Sequence, residues 1–301
     1  MFNYKFFILL IICISAYSFA QDGGKTGLSF LKLSTGARNA AMSDNGLAIA
    51  NDLNSVFYNP ALITSLSGTR IGITHNKWIQ DASYSVFSLK SDFMDVPFGL
   101  LINTFSVPGI EIREKPGAAI GTFKAQYFAG TLSTGYGITD DISAGVSFKY
   151  LYEGLFSEEA SGYAFDMGVN YHNALPGLIL GIAVRNLGSM DKLKNLETEL
   201  PGEVRFGGSY KIDLNTEKYS VLLTGEAQKY FQYDDTNFSL ACEAGYDNLI
   251  LCRLGYKTGI ESAGLTAGVG VNWNSITFEY AFIPLSDELG SGNMIGLIYS
   301  F

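Results

Sequence analysis

Charge is scarce in this chain of 301 residues: only 16% are Asp, Glu, Lys or Arg, and the acidic side is in excess, with 29 acidic against 20 basic residues. That excess argues against nucleic acid as a partner, since phosphate binding needs a basic face. Histidine occurs twice, at His75 and His172, and the sequence contains no His-Glu-x-x-His, Cys-x-x-Cys, phosphate loop or nucleophile elbow. No metal, cofactor or catalytic constellation is therefore expected, and the chain reads as non-enzymatic. His172-Asn173 would suggest an esterase only if a strand serine faced the ring. Its position at an expected periplasmic turn, outside the membrane-embedded wall, points instead to an interfacial histidine.

Cysteine is equally sparse. Of three, Cys13 falls in the N-terminal apolar run, and Cys242 and Cys252 flank a turn at Asp247-Asn248. This is too few for a disulfide framework. A two-residue turn would put the two sulfurs on opposite faces, whereas a three-residue turn centred on Asp247 would bring them together. Two small apolar fillers is the alternative to a disulfide.

Long apolar runs are confined to the start. Phe6 through Ala16, after the single charge of Lys5, followed by Ser18-Phe19-Ala20, reads as a signal peptide over residues 1–20. Removing it makes the charge balance one unit more negative than −9. Beyond it no stretch approaches the roughly 18–20 apolar residues of a membrane-spanning helix.

What is abundant is aromatic and glycine: 21 Phe, 18 Tyr and 34 Gly in a chain that is 47% hydrophobic. That mixture favours many strands over helices. Ile142, Ala144, Val146, Phe148, Tyr150 and Tyr152 hold one face for eleven residues, the length of a strand that crosses a bilayer. Similar segments recur from Arg70 to Phe301, and fourteen can be counted. An even number closes an antiparallel barrel. In the last of them Ile295, Leu297, Tyr299 and Phe301 form an apolar row, read as lipid-facing and as a barrel insertion signal.

The connections sort by parity. Val107–Ile120, Glu153–Ser161, Gly188–Gly202 and Pro284–Ser291 fall on one side; tight turns near Thr139–Asp141, Asn173–Gly177, Asp247-Asn248 and Asn274 fall on the other. Long outer loops and short periplasmic turns are the rule for outer-membrane barrels. Within Ser189–Leu200, the apolar positions Met190, Leu193, Leu196 and Leu200 permit either an amphipathic helix over the mouth or a solvated loop. The fold expected is all-β: a transmembrane antiparallel barrel of about fourteen strands over residues 68–301, in the bacterial outer membrane, with outer-membrane lipid around it.

Residues 21–67 are not strand-like. They are rich in small residues, and Asn59-Pro60 marks a turn. Phe30-Leu31-Lys32-Leu33, Gly36-Ala37-Arg38, Met42, Gly46 and Tyr58-Asn59-Pro60-Ala61-Leu62 together resemble the N-terminal signature of the PorV/PorQ outer-membrane proteins, relatives of the FadL transporters. Arg185-Asn186-Leu187-Gly188, Leu200-Pro201 with Arg205-Phe206-Gly207, and Phe278-Glu279-Tyr280-Ala281 continue the resemblance. Ala41-Met42-Ser43-Asp44-Asn45-Gly46 departs from the glycine-rich run common there.

The resemblance implies that the N-terminal segment is a luminal plug, with Gly36, Ala37, Arg38, Asn59, Pro60 and Ala61 as its motif and a possible gate. It implies a part in type IX secretion, binding the signal domains of secreted cargo and other secretion components. FadL-like uptake of hydrophobic compounds is the alternative, with a hydrophobic small molecule or detergent in the lumen. A structural or adhesive barrel is a third reading.

Overall fold

The computed structural model describes residues 26–259, 264–285 and 290–301, the side chain of residue 80 excepted. The proposed signal peptide lies outside the described residues. Fourteen strands follow in order: β1 (Arg70–Lys77), β2 (Ser83–Phe93), β3 (Val96–Ile112), β4 (Gly121–Gly137), β5 (Ile142–Leu155), β6 (Glu158–His172), β7 (Leu178–Met190), β8 (Glu203–Ile212), β9 (Tyr219–Tyr230), β10 (Thr236–Tyr246), β11 (Ile250–Lys257), β12 (Leu265–Trp273), β13 (Ile276–Pro284) and β14 (Ser291–Ser300). Each pairs antiparallel with the next, and β14 returns to β1 with Leu297 opposite Ile73, closing the barrel. Closure leaves no unpaired strand edge, which a hydrocarbon surround does not tolerate.

The wall is inside out relative to a water-soluble protein. Along β6, Tyr163, Phe165, Met167, Val169 and Tyr171 are exposed, while Gly162, Ala164, Asp166, Gly168 and Asn170 between them are covered. Along β10, Phe238, Leu240 and Tyr246 face out and Asn237, Ser239 and Glu243 face in. Large apolar side chains are exposed in this way on strand after strand, where a water-soluble surface carries apolar patches of a few hundred Å². This is the surface of a barrel that meets lipid.

Three expectations are corrected. The Val107–Ile120 loop is shorter, because β3 continues to Ile112 across a bulge between Val107 and Ile110, paired with β4. The Glu153–Ser161 loop is a hairpin, since β5 and β6 stay paired to Leu155 and Glu158, around Phe156 in a left-handed conformation. The helical reading of Ser189–Leu200 also fails. β7 runs through Met190, and the remainder folds on a bridge between Leu193 and Leu196. Met190 and Leu200 are buried while Leu196 is 76% exposed, so these residues do not share one helical stripe.

The β10–β11 turn has three residues, 247–249, but is centred on Asn248, so Cys242 faces Leu254 and Cys252 faces Ala244. Both cysteines point outward, out of register, and both are free. The expected result is that a lipid-soluble maleimide labels Cys252 in proteoliposomes while a charged, membrane-impermeant one does not. Mass spectrometry of the labelled protein reads this directly, and equal labelling by the two reagents would remove Cys252 from the lipid face.

Inside the wall lie residues 26–66. Helix α1 (Ala37–Ala41) packs on the inner faces of β11 to β14, and the 3-10 turn Pro60–Ser65 packs on those of β3 to β6, the opposite arc. The segment therefore spans the lumen. Its apolar side chains, among them Leu31, Ala37, Val56, Phe57 and Ile63, are buried against one another and against inward-facing Tyr84, Leu101 and Ala129.

Candidate functional site

Three sets of contacts hold the segment to the wall, and each begins from a local feature of the chain. Gly36, extended, opens α1, which projects Arg38 sideways at β10 and β11. Arg38 donates from Nε and Nη2 to the two oxygens of Glu243, at 2.8 and 2.6 Å. Glu243 also accepts from Arg253 Nε at 2.7 Å, and Arg253 reaches Glu279 at 3.0 Å. This two-pronged pairing is the strongest form of ion pair available to a carboxylate. Burial works against the Arg38 charge, but Glu243 and Asp52 outweigh it and hold its pKa above the ordinary arginine value. Ala37 and Ala41 are fully covered, so the helix lies close to the strands.

Asp44, three residues beyond α1, is a second hub. One carboxylate oxygen accepts from Arg205 at 2.7 Å and Lys257 at 3.4 Å, and the other from the Tyr58 hydroxyl at 2.6 Å and the Ser34 hydroxyl at 3.0 Å. Burial alone would raise this carboxyl; Arg205 and Lys257 instead hold it well below the usual carboxylate range. The same burial, with Asp44 beside it, pushes the Tyr58 phenol well up. The ring of Tyr58 lies 5.1 Å from the guanidinium carbons of both Arg185 and Arg205. Glu226 accepts from the backbone N–H of Gly46 and of Leu47 at 2.6 and 2.8 Å.

At the inner end, Asn59 is extended, as the following Pro60 requires, and caps the Pro60–Ser65 turn by accepting from the Ala61 N–H at 3.1 Å. Its Nδ2 donates to the carbonyls of Leu47 and of Val169 in β6. The wall opposite is glycine: a Cβ at Gly145 would lie 2.5 Å from Ala61 N and closer still to the Pro60 carbonyl carbon. Thus Ala37 and Arg38 meet β10 to β14, Gly36 packs on Asn54 of the segment itself, and Asn59, Pro60 and Ala61 meet β4 to β6. The structure does not bring these two groups together.

Ile295, Leu297 and Tyr299 face outward on β14, with Phe301 against Tyr299 edge to face at 4.7 Å. His172 is the last residue of β6, beside the turn, and Ser143 of β5 faces it, with Oγ 3.3 Å from Nε2. The Asp141 carboxylate beyond it accepts from the Asn173 amide at 3.3 Å. No group of three metal-ligating side chains occurs among the described residues.

Between α1 and the outer ends of β1 and β11 to β14 lies a cavity of about 210 Å³. Trp78, Ile283, Leu285 and Met294 line one side of it; Asp44, Asn76 and Lys257 are among the polar lining. Its floor is the N-terminal segment itself. Residue by residue the sequence offered no sign of this pocket, because its lining comes from both ends of the chain.

A closed fourteen-stranded wall, apolar outside, charged inside and filled by its own N-terminal segment, defines a bacterial outer-membrane β-barrel. No protein-family profile and no curated protein sequence matches the chain. Solved structures do share its fold. The Pseudomonas putida toluene transporter TodX superposes with a TM-score of 0.60 at 13% identity, over 87% of this chain and 96% of TodX. The CymD monoaromatic hydrocarbon channel gives 0.60 at 13%, over 89% and 98%. A Pseudomonas aeruginosa FadL homologue gives 0.55 at 12%, over 89% and 99%. The fold is therefore that of the FadL-type barrels.

Proposed function

We propose that the barrel passes small hydrophobic molecules across the outer membrane, with residues 26–66 as its plug. The observation that carries this is the outer cavity, apolar on one side, whose floor is a segment held by ion pairs and hydrogen bonds. A hydrophobic solute can settle there, but going further requires the floor to move. The fold supports the reading, since structures sharing it include a toluene transporter and a monoaromatic hydrocarbon channel. In this reading Gly36, Ala37 and Arg38 seat the outer half of the plug, and Asn59, Pro60 and Ala61 the inner half. Ile295, Leu297, Tyr299 and Phe301 serve recognition and insertion at the membrane, with lipid as the surrounding partner. The transport itself requires no cofactor and no catalytic residue.

A role with secreted cargo of the type IX system rests on the PorV/PorQ resemblance of the N-terminal blocks and has no support in the comparisons. The two readings separate in a deletion strain. Uptake of at least one of labelled toluene and labelled p-cresol is expected to fall several-fold, with surface display of secreted proteins unchanged. Unchanged uptake together with loss of surface display would overturn transport in favour of secretion.

A further inference from the structure

We propose that the outer cavity selects single-ring compounds bearing a neutral hydroxyl, and that Asn76 is the residue that reads that group. This rests on the transport reading and specifies its substrate.

Size sets the first limit. A cavity of about 150 Å³ accommodates benzene; one of about 210 Å³ has room for a ring and a substituent. The Trp78, Ile283 and Met294 side supplies the apolar contact for the ring.

The polar part of the lining supplies the choice. Most polar groups there are already satisfied. Asp44 has four partners, and Ser43 and Thr266 bond each other at 2.9 Å. Lys257 is paired with Asp44. Asn76 differs from these. It points inward from β1, it is 1% exposed, and neither its Nδ2 nor its Oδ1 has a hydrogen-bond partner among the described residues. Covering an amide while leaving both ends unpaired is unfavourable, and its neighbours across the ladder, Met294 and Tyr84, place no partner for it there.

A hydroxyl answers both ends at once, donating to Oδ1 and accepting from Nδ2. A hydrocarbon answers neither. A carboxylate can accept from Nδ2 but has no hydrogen for Oδ1. Sites with a buried polar group of this kind reject analogues that lack its complement far more strongly than apolar sites distinguish sizes.

Trp78 makes the test direct. The chain has two tryptophans, and the other, Trp273, is 62% exposed on the outer wall. In a W273F background, fluorescence of Trp78 excited at its red edge is titrated with p-cresol, toluene and p-toluate in detergent. Saturable binding of p-cresol is expected, with a Kd about tenfold below those of toluene and p-toluate, in line with a satisfied buried hydrogen-bonding group. Asn76→Leu, checked for folding by heat-modifiable gel mobility, is expected to abolish the difference between p-cresol and toluene. The comparison of ligands in the protein with native Asn76 stands even if that variant does not fold. Toluene or p-toluate binding as tightly as p-cresol would overturn the inference and leave transport intact, as would a preference for p-cresol that survives Asn76→Leu. Absence of saturable binding by all three would overturn the cavity as a transport site as well.

Discussion

Glu243→Ala is expected to release the N-terminal segment from the β10–β11 wall and turn a sealed barrel into a conducting one. The carboxylate accepts two hydrogen bonds from Arg38 and one from Arg253. Removing it leaves two guanidinium groups facing each other with, among the described residues, Glu279 and the more distant Asp52 to compensate them. Breaking a buried ion pair by deleting one partner costs roughly 3–5 kcal/mol. The loss falls on the segment, because the wall is held by its own ladder all the way round. At 1.4 kcal/mol per factor of ten, the released state gains at least about a hundredfold in population. Planar-bilayer conductance reads the opening, and trypsin cleavage at Arg38 reads exposure of the segment. Glu243→Gln, which keeps hydrogen bonding and loses charge, should fall between. Unchanged conductance and protection in Glu243→Ala would mean that apolar packing alone seats the segment.

Gly145→Val should unseat the other end. Gly145 faces the lumen from β5, and the atoms nearest an added Cβ belong to the backbone of Pro60 and Ala61, which cannot rotate out of the way. Overpacking of this kind costs roughly 1–3 kcal/mol and more where the obstacle is rigid. Neighbouring positions repeat the theme: a Cβ at Gly168 would meet the Asn59 side chain, and one at Gly135 the Pro60 carbonyl. The Pro60–Ser65 turn sits in a bed of glycines. The expected outcome is a barrel that still shows the heat-modifiable gel shift but conducts, with Gly145→Ala weaker and Gly137→Ala silent. At Gly137 the nearest atom to a new Cβ is 3.7 Å away, an ordinary contact. A Gly145→Val protein that stays sealed would show that the turn can shift without losing the seal.

These two variants act on opposite arcs of the wall, which is why they separate the two halves of the luminal segment. Glu243 is reached through Arg38, on a short helix opened by Gly36. Gly145 is reached through Pro60, in a turn capped by Asn59. Combined, they should approach the conductance of a barrel lacking the segment altogether.

Much of this wall was legible in advance. The alternation of Ile142, Ala144, Val146, Phe148 and Tyr150 runs outward as expected, and all fourteen strands occur where period-two patterning placed them. The misses have physical causes. Val107–Ile112 carries Pro108 and Gly109, which read as loop, yet a bulge there absorbs the two and pairing resumes at Ile110. The Cys242 and Cys252 faces hinged on one residue: adding Leu249 to a turn already begun by left-handed Asp247 and Asn248 moves the centre and changes every cross-strand partner.

The interior was another matter. Arg38 and Glu243 are 205 residues apart, and Asp44 and Lys257 are 213 apart; as single charges in a polar-small pattern they look alike. Nor did the sequence mark Gly145 among 34 glycines, or Asn76 among ordinary polar positions on an inward face. By itself the sequence determined the strands, their inward and outward faces, and an N-terminal segment unlike them, because propensity and alternation act between near neighbours. Only the tertiary structure decided which charges meet, which glycines make room and which amide is left unpaired at a cavity wall. Those depend on how the ends of the chain come together when the barrel closes around its own beginning.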